Sequence, residues 1–294
     1  MFLSAKRRSK GDVIADIIIY TVLLVIALVM VIPFAYVIAA SFAPEHEIIT
    51  RPLFIIPREF TLDAYKRIFD PGDYGVTVLR SLGVSVGVTV VGTITNLFFT
   101  TTMAYGLSRS NLKGRNFLIN CVMFTMVFSG GMIPTFLIVK SLGMYDSFAA
   151  LILPGAISAY NMLIVKNFFQ ELPAGLEEAA SIDGCTDIGI FWKIALPLSL
   201  PMLATFGLFY AVGHWNNYFG ALLYLQTPEK YPFQLILRNV VMISQETQTD
   251  PDVLLPQETL KMAIIVVGTV PILIVYPFLQ KHFAAGVMVG AIKG

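Results

Sequence analysis

Apolar residues collect in six long runs separated by short polar stretches, and this pattern predicts an all-α protein whose helices cross a membrane. The runs place spans at about 13–41, 76–108, 117–139, 148–168, 199–225 and 259–280. Each approaches or exceeds the ~20 residues that a helix needs to cross ~30 Å of hydrocarbon. Pro33 is expected to kink the first span, while Ser129-Gly130-Gly131 and Pro134 interrupt the third. Gly83-x-x-x-Gly87 offers a small-residue face for close helix packing. Two polar stretches, 42–75 and 226–258, form outer loops; the first carries a short amphipathic piece at 62–69 and the second the stretch YPFQLILRNVVMI.

One segment breaks the alternation. Between spans four and five the chain reads ELPAGLEEAASIDGCTDIGIFWKIALPLSLP, and the part at 171–197 is acidic, small and turn-forming. Pro173 suits a first helical turn, and Glu177 and Glu178 sit where the positive end of the helix dipole favours carboxylates. Leu176, Ala179, Ala180 and Asp183 recur at helical spacing and give a shallow face. Gly184 is placed to stop that helix, and Thr186 or Asp187 to cap a second one. Ile188, Phe191, Trp192 and Ile194 of the second helix are expected along the membrane surface. The segment is expected to be a helix–turn–helix that docks a soluble partner; an ordinary amphipathic loop helix fits the composition equally well.

Charge orients the pattern. Lys6, Arg7, Arg8 and Lys10 precede the first span, and Arg109, Lys113 and Arg115 follow the second, which puts both on the cytoplasmic side. The first apolar run is too long for a signal peptide, so it is expected to remain as a span. With six spans, both termini and the docking segment share the cytoplasmic side. Composition agrees with a polytopic membrane protein: 56% of the 294 residues are hydrophobic and 13% charged, against about a quarter charged in a soluble domain. A net charge of +1 leaves no footprint for nucleic acid. Cys121 and Cys185 lie in different environments, and no Cys/His spacing suggests a metal site.

Enzyme chemistry finds no anchor. GxxxxGK[ST], HExxH and GxSxG are all absent, so the chain is expected to be non-catalytic and to bind no nucleotide through a P-loop. Polar residues within the spans include Asn96, Asn120, Asn161, His214, Asn216 and Asn217. No acidic residue sits mid-span, which disfavours a proton- or ion-driven carrier. Tyr160, Asn161, Trp215, Asn216 and Asn217 fit a path along which sugar faces stack on rings and amides meet hydroxyls. Interhelical hydrogen bonding explains Trp215 and Asn216 as well. His214 reads as a packed or hydrogen-bonded side chain.

Glu178-Ala179-Ala180, Gly184 four places later, then Ile194-x-Leu196-Pro197 resembles the EAA loop of ABC importer permeases. Ala104-Tyr105-Gly106-Leu107-Ser108-Arg109 is similar to the end of span two in maltose-type sugar permeases. Phe128-Ser129-Gly130-Gly131-Met132-Ile133-Pro134 resembles their complex-saccharide subgroup, and Trp215-Asn216 and the terminal run from Gly286 to Gly294 also fit. Cys185 stands where that family usually has alanine.

This resemblance implies a six-span permease with a cytoplasmic EAA coupling helix, set in a bacterial inner membrane. It implies a second homologous permease, a dimer of ATPase subunits carrying ATP and Mg, and an external solute-binding protein that delivers saccharide. No cofactor is implied on this chain. Glu177, Glu178, Ala179, Ala180, Asp183, Gly184, Ile194, Leu196 and Pro197 would seat in the ATPase. The tail 281–294, through Gly290, Lys293 and Gly294, would make a second contact there. Within the subgroup the expected match is the smaller permease of an alginate-type importer. An ABC permease for amino acids or phosphate, an ion-coupled carrier and a membrane-embedded enzyme are the rival classes.

Overall fold

The computed structural model describes residues 10–71, 75–246 and 258–291, and every regular element among them is helical. In chain order these are α1 (Lys10–Ser41), α2 (Glu45–Thr50), α3 (Asp63–Phe69), α4 (Gly75–Ser108), α5 (Arg115–Val127), α6 (Met132–Ser141), α7 (Ala149–Ile152) and α8 (Ala159–Gln170). Then follow α9 (Ala174–Ile182), α10 (Asp187–Ile190), α11 (Leu196–Leu198), α12 (Leu200–Trp215), α13 (Tyr218–Tyr224), α14 (Phe233–Glu246) and α15 (Glu258–Ala291). Val13–Ser41, Thr77–Ser108 and Glu258–Pro277 are each long and apolar enough to cross a membrane alone.

The spans expected at 117–139 and 148–168 are bent pairs, and the one expected at 199–225 holds α12 and α13, with α12 bent sharply from the helical stretch before it. α5 and α6 turn by 117° about 128–131, so the stretch at 117–139 is a helix–turn–helix rather than one interrupted rod. At 1.5 Å per residue α5 reaches only ~20 Å, short of the hydrocarbon thickness. Ala149–Gly155 and α8 meet at 54°, and Asp187–Leu198 and α12 at 81°. Proline does not act alone in making breaks: Pro33 lies within α1, which continues unbroken to Ser41, and Pro271 and Pro277 lie within α15.

The chain divides into two compact units. One comprises 1–75 and 243–267. There the buried Glu47 carboxylate accepts from the amides of Arg58 and Glu59 and pairs with Arg51, folding the polar stretch after α1 back on itself. Burial works against its charge, but these donors outweigh it and hold the carboxyl below its ordinary value. Glu45 supplies the N-terminal cap of α15, accepting from the amides of Glu258 and Thr259 and from the Thr259 hydroxyl.

The second unit comprises 76–242 and 268–294. Its larger core joins α4, α8 and α12 through Tyr105, Met162, Phe169, Met202, Phe206 and Tyr210, and includes Phe191. The Tyr105 ring meets Phe169 edge-on at 5.6 Å and Phe191 at 4.9 Å. Thr100 Oγ1 and the Tyr210 hydroxyl share a buried 2.8 Å hydrogen bond. A smaller core gathers Val88, Val139, Leu151, Tyr224 and Leu235. The expected packing face at Gly83 and Gly87 is uncovered among the described residues; the tight approach on α4 falls at Gly92 instead.

A clasp closes the end of this unit near the smaller core. Asp146 accepts from the amides of Gln226 and Thr227 and pairs with Lys230 at 2.8 Å. Lys230 and Thr227 hold its carboxyl well below the usual carboxylate range. The clasp therefore stabilises the fold in full above the unfolded aspartate value of about 3.9 and fades as pH falls towards the lower folded value. Asp146→Asn should lower the Tm of the detergent-solubilised protein at pH 7. The gap to wild type should narrow only below about pH 4, and an equal gap at all pH values would refute the charged clasp.

Candidate functional site

The helix–turn–helix expected at 171–197 is built by its own turn residues. α9 ends in a complete Schellman closure: the Cys185 amide donates to Ala180 O at 2.9 Å and the Gly184 amide to Ser181 O at 3.1 Å. Gly184 adopts φ +83°, the left-handed conformation that a residue bearing Cβ enters at a cost. Of the two candidate caps for the next helix, Thr186 fills the position, its Oγ1 accepting from the Gly189 amide at 3.2 Å. α10 and α11 are joined by a π-helical turn, Phe191–Ala195, so 187–198 is one helical stretch that with α9 makes a helix–turn–helix arm.

The side chains of this arm divide into two faces. Ala180, Ile190, Phe191 and Ala195 are buried. Phe191 was expected on the membrane surface, but it is buried at the start of the π turn, where it packs on Tyr105 and Phe169. Glu178, Ala179, Asp183, Gly184 and Pro197 are exposed, and Ile194 and Leu196 are half-buried. Large apolar side chains stand open beside them: Ile182 is 86% exposed and Ile188 72%.

Glu177 takes a different part from Glu178. Its carboxylate pairs with Arg109 at the end of α4. Arg109 also donates to Phe169 O at 3.0 Å and to Ser108 Oγ at 2.8 Å, and its guanidinium lies 4.5 Å from the Tyr105 ring centroid. One arginine thus ties α9 to α4 and α8. Charge placement marks Arg109 only as a topology signal, and nothing in the sequence pairs it with a residue 68 positions away. An open pocket of about 810 Å³ adjoins this tie, walled by Phe98, Tyr105, Arg109, Ile188 and Trp192.

The expected path residues are put to several uses. Trp215 is buried and donates from Nε1 to Gly268 O at 3.3 Å, so its polar edge serves packing against α15. Asn217 caps α13 through the Gly220 amide, and Asn216 is exposed with its amide donating to Val212 O. Tyr160 stands 63% exposed at the start of α8 beside the half-buried Asn161. The hollow of about 620 Å³ next to Trp215 is walled by Val86, Val90, Phe209, Val212 and Ile272, too apolar to meet sugar hydroxyls. His214 is hydrogen-bonded, to Asn96. Gly290 lies within the helical backbone of α15, whereas Lys293 and Gly294 are outside the described residues. No cluster of three potential metal ligands occurs among the described residues.

A sequence model described as "Binding-protein-dependent transport system inner membrane component" matches residues 1–289. The protein LplC of Bacillus subtilis is 56% identical over 270 residues, covering 90% of each chain. The polygalacturonan/rhamnogalacturonan transport system permease protein YtcP of the same organism is 54% identical over 95% of this chain and 98% of its own. Among solved structures, a chain of a bacterial ABC transporter involved in import of the acidic polysaccharide alginate superimposes with a TM-score of 0.85. It is 32% identical, with 95% of this chain and all of that one covered.

Proposed function

Because this chain belongs to the family of binding-protein-dependent transport system inner membrane components, we propose that it is the membrane-spanning permease of an ATP-driven importer of oligo- or polysaccharides. The relatives named for polygalacturonan/rhamnogalacturonan and for the acidic polysaccharide alginate support that substrate class. The permease is not itself an enzyme. A second permease, a pair of ATPase subunits and a solute-binding protein complete the transporter, and ATP and Mg are held by the ATPases.

The observation that carries the coupling role is the open apolar face at Ile182 and Ile188, bordered by Glu178 and Asp183, on an arm whose other side is anchored through Arg109. A soluble surface of that kind between membrane segments fits a groove on a partner. In this reading the three long helices, the two bent pairs at 115–141 and 149–170, and α12 with α13 make six spans, with both termini and 171–197 in the cytoplasm. Glu178, Ala179, Ala180, Asp183, Gly184, Ile194, Leu196 and Pro197 form or support the seat, and Gly290, Lys293 and Gly294 reach the ATPases from the tail. Glu177 anchors the arm rather than meeting the ATPase. ATP-driven closure of the ATPase pair pulls the arm, and the bundle rocks between inward- and outward-facing states. Tyr160, Asn161 and Asn216 are the path residues with surface to offer a sugar.

Purification from the native membrane in mild detergent, with mass spectrometry of the associated proteins, tests this directly. An ATPase subunit and a second permease should co-purify, and uptake in vesicles should stop when ATP is withheld. Recovery of the chain alone, with uptake that collapses with an ion gradient, would establish a secondary carrier instead.

A further inference from the structure

The break between Ala149–Gly155 and α8 is held by a polar knot that the coupling arm and the path residues do not account for. Asn96 Nδ2 donates to Gly155 O at 2.6 Å and to Ala156 O at 3.1 Å, the carbonyls that the 54° bend removes from helical pairing. Within a membrane such carbonyls need a donor from the protein or an ordered water, and here a side chain supplies it. Those two bonds fix the amide: its NH2 faces the break, and Oδ1 faces away, 2.6 Å from His214 Nε2. Since Oδ1 can only accept, Nε2 must carry the proton. Asn96 is 1% exposed, and the His214 ring rests on Gly92, where any Cβ would lie 2.5 Å from Nε2.

Two features give the knot a role in transport. Ser158, two residues beyond Ala156, caps α8 by accepting from the Asn161 amide, so the break sets where Tyr160 and Asn161 stand. His214 lies in the last turn of α12, the helix that continues from the 187–198 part of the arm. We propose that Asn96 and His214 are positioning residues: they hold the break ahead of α8 at a set angle and link it to the helix leaving the coupling arm. The transport role rests on the permease reading above; the positioning itself does not.

The test uses the complete transporter in proteoliposomes, with Cys121→Ser and Cys185→Ser as background and Tyr160→Cys as a reporter for a soluble maleimide. His214→Leu and Asn96→Leu should each change the maleimide rate at position 160 several-fold. They should also lower maximal saccharide uptake about tenfold, because each strands buried polar partners. Basal ATP hydrolysis and subunit stoichiometry should stay near wild type. His214→Gln, which keeps a donor for Asn96 Oδ1, should restore both labelling and uptake. Equal impairment in His214→Gln and His214→Leu would overturn the proposal, as would losses that follow the amount of assembled complex. If the background complex takes up no saccharide, the permease reading fails and labelling alone decides. Unchanged labelling in His214→Leu and Asn96→Leu then refutes the knot.

Discussion

Replacing Arg109 with alanine should let the assembled transporter hydrolyse ATP while moving little sugar. Arg109 has four simultaneous partners: the Glu177 carboxylate, Phe169 O, Ser108 Oγ and the Tyr105 ring. Glu177 and Arg109 side chains are each only 23% exposed, so removing the cation leaves a carboxylate and a carbonyl without their donor in a poorly hydrated place. Breaking such a pair from one side typically costs about 3–5 kcal/mol. That cost falls on the attachment of α9 to α4 and α8, not on the exposed face proposed to meet the ATPase. ATPase association is therefore expected to survive, while sugar moved per ATP hydrolysed falls roughly tenfold or more, the equivalent of at least ~1.4 kcal/mol of lost linkage. Arg109→Lys should not rescue, because an ammonium cannot reproduce the planar fork or its stacking on Tyr105. Glu177→Gln should be milder, since the amide still offers an acceptor. Uptake per ATP measured in proteoliposomes decides the matter, and parallel loss of hydrolysis and uptake in Arg109→Ala would show that the tie holds the complex together instead.

Glu178→Lys and Ile182→Glu should have the opposite signature: normal membrane insertion, but loss of ATPase subunits from the purified complex and of stimulated hydrolysis. Both side chains are exposed and make no hydrogen bond among the described residues, so neither change disturbs the anchored side of the arm. An apolar anchor at the centre of an interface is commonly worth 2 kcal/mol or more, which corresponds to roughly a thirtyfold loss of affinity. Pull-down of the ATPase with variant permease measures it. Wild-type recovery of ATPase with Ile182→Glu would remove the exposed apolar face from the docking surface, and failed insertion with Glu178→Lys would make that residue structural.

Local chemistry made much of this legible in advance. The end of α9 at Gly184 stands where the sequence puts it, and of the two caps the sequence offers for α10, Thr186 and Asp187, the structure uses Thr186. Long apolar runs likewise announce α1, α4 and most of α15. What sequence could not supply is direction. The SGG interruption marks a break near 129, but a 117° turn depends on what packs around the two short helices. Phe191 went astray because the rings that bury it, Tyr105 and Phe169, belong to other helices and leave no mark in its own segment. Gly83 and Gly87 illustrate the converse: a packing motif is visible, yet the neighbour that would use it is not among the described residues, while Gly92 has no motif and sits under a histidine ring. Pairings such as Arg109–Glu177 and Asn96–His214 join residues 68 and 118 positions apart, and only tertiary structure brings them together.

From Ile17 onward α1 is apolar around its whole circumference, and none of its membrane-length window is buried until the last turn, where Ala39, Ala40 and Ser41 are covered. A helix so placed has no preferred rotation about its axis over most of its length. Leucine, isoleucine and valine are interchangeable there as far as this chain's own packing is concerned, and only length and the exclusion of charge are constrained. The final three positions obey a different rule, since Ala40 has no free space and the Ser41 hydroxyl reaches Tyr65. Substitutions along α1 are therefore expected to answer to the thickness of the surrounding lipid more than to the identity of the cargo.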